Sequence, residues 1–134
     1  MDFAAVSFYP FFIGQHSHRD FQKEFDFLHS NVTVPIGFSE TTHLANDLEI
    51  ASFELYIKSS EKEQNDYLES LLINVDKNSY EFVIWWSHRD FDKLWETFPD
   101  DVKDVGKLWK DTGLLDENGN SRPAFETWKE TFSK

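Results

Sequence analysis

Glu40 stands where a short apolar run, Val34-Pro35-Ile36-Gly37-Phe38, gives way to Ser39, Thr41, Thr42 and His43. That order describes a buried strand delivering a carboxylate, hydroxyls and an imidazole at its tip. A carboxylate so placed can attack an electrophilic carbon or move a proton, although a lone Glu after a strand is often only a solvated loop residue or a salt-bridge partner. Two other strand-like runs end in groups with chemical capacity. Phe3-Ala4-Ala5-Val6-Ser7-Phe8 leads to Tyr9, and Tyr80-Glu81-Phe82-Val83-Ile84 leads to Trp85-Trp86 and then Ser87-His88-Arg89-Asp90. His43, three residues beyond Glu40, is placed to line the same site.

The histidines suggest a second chemistry. His16-Ser17-His18, His43 and His88 all fall in loops after strands, and an H-x-H pair with further His and Asp could bind a divalent metal for hydrolysis. His16 and His18, however, come several residues beyond their apolar run and not on it. They read as surface or hydrogen-bonded side chains, and no metal or other cofactor is expected. His88-Arg89-Asp90 is no kinase catalytic loop, because the fifth residue after Asp90 is Trp95 and not Asn.

The elements that must position these residues alternate. After the first strand and Pro10, Phe21, Phe25 and Leu28 recur at the spacing of one helix face. The Pro35–Glu40 strand follows. From Thr42 to Ser59 the pattern is mixed, as in a long loop with a short helical or extended piece. Ser60-Glu61-Lys62-Glu63 is a capping box opening a helix whose apolar side carries Gln64, Tyr67, Leu68, Leu71, Leu72 and Val75, with Asn78 at its end. The third strand, Tyr80–Trp86, is followed by an acidic, partly helical stretch from Asp92 to Asp111. A tight turn at Asn118-Gly119 then precedes a last helix beginning at Pro123, with Phe125, Trp128 and Phe132 on one face.

Strand, helix, strand, helix, strand, helix predicts an α/β chain with parallel strands and helical crossovers. Open and closed α/β sheets carry their chemistry at the carboxyl ends of such strands, which is where Tyr9, Glu40 and Trp85-Trp86 fall. One pentapeptide repeats, Ser17-His18-Arg19-Asp20-Phe21 and Ser87-His88-Arg89-Asp90-Phe91.

The 134 residues are expected to form one domain. They are 40% hydrophobic, with 14 Phe, 5 Trp and 4 Tyr, an aromatic load that argues for a packed core despite a negative mean hydropathy. A formal charge of -12 disfavours a phosphate-binding surface, so nucleic acid is not an expected partner. There is no cysteine, which excludes disulfides and thiolate metal sites. No signal-peptide pattern or membrane-length apolar run is present, so no membrane association is expected and a cytoplasmic location is the default expectation.

Phe8-Tyr9-Pro10-Phe11, Pro35-Ile36-Gly37-Phe38-Ser39-Glu40-Thr41 and Phe82-Val83-Ile84-Trp85-Trp86 together resemble the ends of the sixth, seventh and eighth strands of the clan A retaining glycoside hydrolases, which are built on the (β/α)8 TIM barrel. The closing Gly113-Leu114-Leu115-Asp116-Glu117-Asn118-Gly119-Asn120-Ser121-Arg122-Pro123-Ala124-Phe125 resembles the segment with which many of these enzymes finish. The resemblance spans nearly all of this chain but only about three-eighths of a barrel of roughly 250 residues. It implies three parallel strand-helix units of a partial barrel. By the same resemblance Glu40 is the nucleophile, Tyr9 its hydrogen-bonding neighbour, Trp85 or Trp86 a sugar-stacking floor, and a β-linked glycan the substrate.

The departure is equally specific. The acid/base carboxylate of this family stands in an Asn-Glu pair at the end of a fourth strand, and this sequence contains no Asn-Glu dipeptide. Asp90 or His88 are the residues that could substitute as proton donor. Three units also leave two open sheet edges, which implies self-association or a complementing barrel fragment. The alternatives are a non-catalytic carbohydrate-binding or assembly fragment and, less favoured, a metal-dependent hydrolase.

Overall fold

A computed structural model describes residues 2–133. Its centre is a three-stranded parallel sheet in the order β1-β2-β5, made of β1 (Ala4–Phe8), β2 (Ile36–Thr41) and β5 (Val83–Trp85). The alternation of apolar runs with helical patterns therefore gives parallel strands, as expected. The third strand is shorter than its apolar run, because only Val83–Trp85 keeps ladder geometry. Before it, Glu81 still donates to the Ile36 carbonyl at 2.8 Å and the Phe82 carbonyl accepts from Phe38 at 2.9 Å.

Two helices cover one face of the sheet. In α1 (His18–Asn31) the Ser17 hydroxyl accepts from the Asp20 amide, and Phe21 and Phe25 are buried. In α2 (Glu61–Asn78) the Ser60 hydroxyl accepts from the Glu63 amide, which forms the serine half of the expected capping box, while the Glu63 carboxylate accepts from that hydroxyl at 3.4 Å rather than from the Ser60 amide. Phe38, Ile36, Tyr67, Leu68 and Leu71 join Phe21 and Phe25 in the main core, with Val6, Phe8 and Val83 packed against it. The last helix (Pro123–Phe132) starts on Pro123 and packs on α2. Ala124 is its fully buried residue, whereas Phe132 is exposed, contrary to its place in the apolar pattern.

The stretch Thr42–Ser59 is more ordered than its mixed pattern suggests. It holds an antiparallel hairpin, β3 (Leu48–Ile50) and β4 (Leu55–Ile57), joined by a 3-10 turn. Leu48, Ile50 and Ile57 form a second core with Phe11 and Leu44, against which Tyr9, Val105, Leu108 and Trp109 pack. The acidic stretch contributes two short helices, α3 (Asp92–Trp95) and α4 (Asp100–Gly106). With the last helix numbered α5, hairpin and acidic stretch together build a shelf beyond the carboxyl ends of the parallel strands. Among the described residues no helix is long and apolar enough to cross a membrane.

The other face of the sheet is bare of helices, although the Phe82 ring lies against Gly37 and the Phe3 ring packs on Phe82. Ala5 and Ser7 alternate outward along β1, Ile84 does so on β5, and Trp86 follows. The Ser7 and Ser39 hydroxyls meet across this face at 3.3 Å.

Candidate functional site

An irregularity in β2 sets the direction of Glu40. The register pairs Val6 with Phe38, then Ser7 with Glu40 and Phe8 with Thr41, so Ser39 is the extra residue of a bulge. Without the extra residue Glu40 would follow Phe38 onto the helix-covered face, since strand side chains alternate. With it, Glu40 shares the bare face with its partner Ser7. Thr41 then turns inward, where its hydroxyl donates to the Phe8 carbonyl at 2.7 Å and meets the Tyr67 hydroxyl.

Tyr9 follows Phe8 out of β1 and leans on Trp109, with ring centroids 5.0 Å apart, and on Phe12 at 6.0 Å. Burial first, then hydrogen bonding to Glu40 and its negative charge, raise the phenol's pKa well above the ordinary tyrosine value. The two residues singled out at the tips of neighbouring strands are thus brought together. Phe12 and Trp109 were not singled out in the sequence. Their aromatic character was visible, but their meeting at Tyr9 depends on the shelf.

The two tryptophans diverge. Trp85 pairs with Thr41 in the ladder and is buried, its indole N–H donating to the Thr112 carbonyl at 3.1 Å and its ring 6.0 Å from that of Tyr67. Trp86 lies on the bare face and is 43% exposed, while its backbone amide donates to the Thr41 carbonyl at 2.9 Å. Trp86 therefore presents an aromatic surface beside the strand that carries Glu40. The Trp86-Ser87 peptide is cis.

His43 is fully buried among Phe11, Phe21, His16 and Tyr67. Its Nδ1 faces the Leu44 carbonyl at 3.2 Å and the Ser59 hydroxyl at 3.3 Å. Burial holds its pKa below the ordinary histidine value, the backbone carbonyls pulling the other way. The structure thus encloses His43 beneath the site. His88 is exposed in the loop after β5. Asp90 has no exposed side-chain surface and is gripped by Arg122, which removes it as a free proton donor.

The histidines do not converge on a hydrolytic metal. His16 turns toward Glu63 at 3.9 Å while His18 turns toward Ser70 and Asp66. Among the described residues, clusters able to hold a cation include only His18 of the five histidines. In the cluster Asp90, Asp92 and Glu117, Asp90 is paired with Arg122 and Asp92 with Lys110, 2.6 Å away.

No protein-family model matches this sequence, and a search of curated proteins finds no significant relative. Solved structures do match. A β-glucuronidase of Bifidobacterium dentium, complexed with coumarin-3-O-glucuronide, is 19% identical with a TM-score of 0.65 over 99% of this chain and 21% of its own. A β-glucuronidase of Faecalibacterium prausnitzii gives 17% and 0.65, over 99% of this chain and 22% of its own. An active-site mutant of the Rhizomucor miehei β-1,3-glucanosyltransferase, in complex with laminaritriose, gives 17% and 0.61, over 92% of this chain and 42% of its own. The chain spans less than half the length of each of these structures. At these identities the likeness is one of fold alone: parallel strand-helix units of a TIM-barrel-like architecture.

Proposed function

We propose that this chain supplies the nucleophile half of a retaining glycoside hydrolase site acting on a β-linked glycan. The observation that carries the reading is the β2 bulge, which turns Glu40 onto the open face at the carboxyl end of the central strand, with Tyr9 against it. In the double-displacement mechanism a Glu40 oxygen bonds to the anomeric carbon as the bond to the leaving oxygen breaks, and water later opens the glycosyl ester. Tyr9, kept protonated, donates to the carboxylate and holds its orientation. Trp86 offers its ring to the apolar face of a pyranose, and His88 lies at the rim of the same end. Trp85 and His43 support the floor from beneath. The acid/base, which retaining enzymes hold about 5–5.5 Å from the nucleophile, is contributed in this reading by a complementing part of the barrel, which also covers the bare face.

A test follows from that division of labour. A glycoside with an activated leaving group, such as a dinitrophenolate, departs without a proton donor, so the nucleophile half alone should form the ester. Incubation with a 2-deoxy-2-fluoro aryl β-glycoside is expected to add one glycosyl mass to the peptide containing Glu40, and Glu40→Gln should lose it. Labelling that persists in Glu40→Gln would remove the nucleophile assignment. Oligosaccharide binding, read by tryptophan fluorescence, without any labelling would favour a non-catalytic carbohydrate-binding fragment.

A further inference from the structure

At the carboxyl ends of the strands, the loop that follows β1 faces the β3-β4 hairpin. Pro10–Ile13 forms a 3-10 turn that buries Phe11 and leaves Phe12 44% exposed. On the hairpin Ile57 is buried and its neighbour Tyr56 is 61% exposed, because successive strand side chains alternate. Between loop and hairpin lies a groove of about 470 Å³, a size suited to a small organic ligand, which His16 and Glu63, in the first turn of α2, also line. Two features separate it from an ordinary surface crevice. Tyr56 is exposed yet tethered: its hydroxyl donates to Asp47 Oδ2 at 2.7 Å, and Asp47 Oδ1 accepts from the Ser59 amide at 2.8 Å. His16 Nδ1 is buried with no hydrogen-bond partner among the described residues, and Glu63 Oε1 stands 3.9 Å from it. That gap is too long for a hydrogen bond, whereas one hydroxyl beside both atoms reaches each, accepting from Nδ1–H and donating to the carboxylate.

The groove is continuous with the surroundings of Glu40. The Phe12 ring in its wall meets the rings of Tyr9 and Trp109 at 6.0 and 6.3 Å, and Tyr9 is the hydrogen-bonding neighbour of Glu40. Aromatic faces beside a polar pair matched to one hydroxyl suit a pyranose, which has apolar C–H faces and a hydroxyl rim. We propose that the groove holds a distal unit of a neutral β-linked oligosaccharide whose reacting unit lies at Glu40, so that the substrate is a sugar chain and not a simple glycoside. The choice of ligand rests on the glycosidase reading above. Glu63 offsets Lys58, the one ammonium lining the groove, and the chain carries a formal charge of -12, which together favour a neutral sugar over an acidic one.

The test is calorimetric titration of the full chain with laminaripentaose and with cellopentaose, glucose serving as the control. One of the pentasaccharides is expected to bind at least about tenfold more tightly than glucose, and its affinity should fall about tenfold in Tyr56→Ala and in Glu63→Gln. Should a variant misfold, NMR of the unaltered chain decides, because the pentasaccharide should move the ring signals of Phe12, His16 and Tyr56. No binding of either pentasaccharide, unchanged affinity in both variants, or shifts that bypass those three rings would each overturn the proposal. The readout is binding and not labelling. A missing glycosyl ester at Glu40 therefore defeats the nucleophile assignment alone, and a missing pentasaccharide site defeats the groove alone.

Discussion

Arg122 grips Asp90 through both carboxylate oxygens, Nη1 to Oδ1 at 3.0 Å and Nη2 to Oδ2 at 2.6 Å, with neither side chain more than 4% exposed. Arg122 Nη1 also donates to the Gly113 carbonyl at 2.8 Å, and the Gly113 amide donates to Asp90 Oδ1 at 2.8 Å. The start of α5 is thereby fastened to the loop after β5. Removing one partner strands a buried charge, so Arg122→Ala should cost ~3–5 kcal/mol. Replacing the pair together, as Asp90→Leu with Arg122→Met, should cost clearly less. Urea midpoints of the two variants against the parent check this, and equal losses would show that the pair is not the fastening.

The two adjacent tryptophans should separate stability from binding. Trp85→Ala empties a buried position and should cost ~3–5 kcal/mol. Trp86→Ala should leave the unfolding midpoint much closer to the parent while slowing glycosyl labelling of Glu40. Thermal melts and labelling rates measured on both variants give the comparison, and the reverse assignment of effects would place the sugar floor elsewhere.

Tyr9 should resist ionisation at pH values where an ordinary phenol, with a pKa near 10, has lost its proton. Carbon NMR of the tyrosine rings during an alkaline titration reads this residue by residue. Glu40→Gln removes both the acceptor charge and its repulsion of a phenolate, so the Tyr9 pKa should drop. The contribution of burial should remain. No change would mean that the two side chains do not interact.

Burial lowers the His43 pKa below its ordinary value of 6.5. The unfolded chain therefore takes up this proton first as pH falls. His43 contributes no pH dependence well above 6.5, and stability is lost as the pH drops from about 6.5 toward the folded-state value, by at most ~1.4 kcal/mol per pH unit. Denaturant midpoints between pH 7.5 and 5.5 should show that slope, and His43→Gln should flatten it.

The repeated pentapeptide marks the boundary between what local sequence can and cannot specify. In Ser17-His18-Arg19-Asp20-Phe21 the serine caps α1 and Asp20 stays near the surface, its carboxyl held below its ordinary pKa chiefly by Ser17. In Ser87-His88-Arg89-Asp90-Phe91 the same five residues form no helix. Arg89 makes a parallel bridge to Leu115 and Asp90 is buried on Arg122. Nothing within five residues distinguishes these outcomes, because the second is imposed by Arg122 and Gly113, more than twenty positions away.

The sequence by itself determined the alternation of strands and helices, the helix cap at Ser60, and the placing of Tyr9, Glu40 and the tryptophans at strand ends. Hydrophobic periodicity and capping are local, so a linear reading reaches them. Only the tertiary structure decided which way those residues face. One extra residue at Ser39 turns Glu40 outward, and ladder pairing buries Trp85 while exposing Trp86. A second core assembled from distant segments encloses His43 and carries Trp109 to Tyr9. Strand register and long-range packing set those directions, and a one-residue shift in register reverses them.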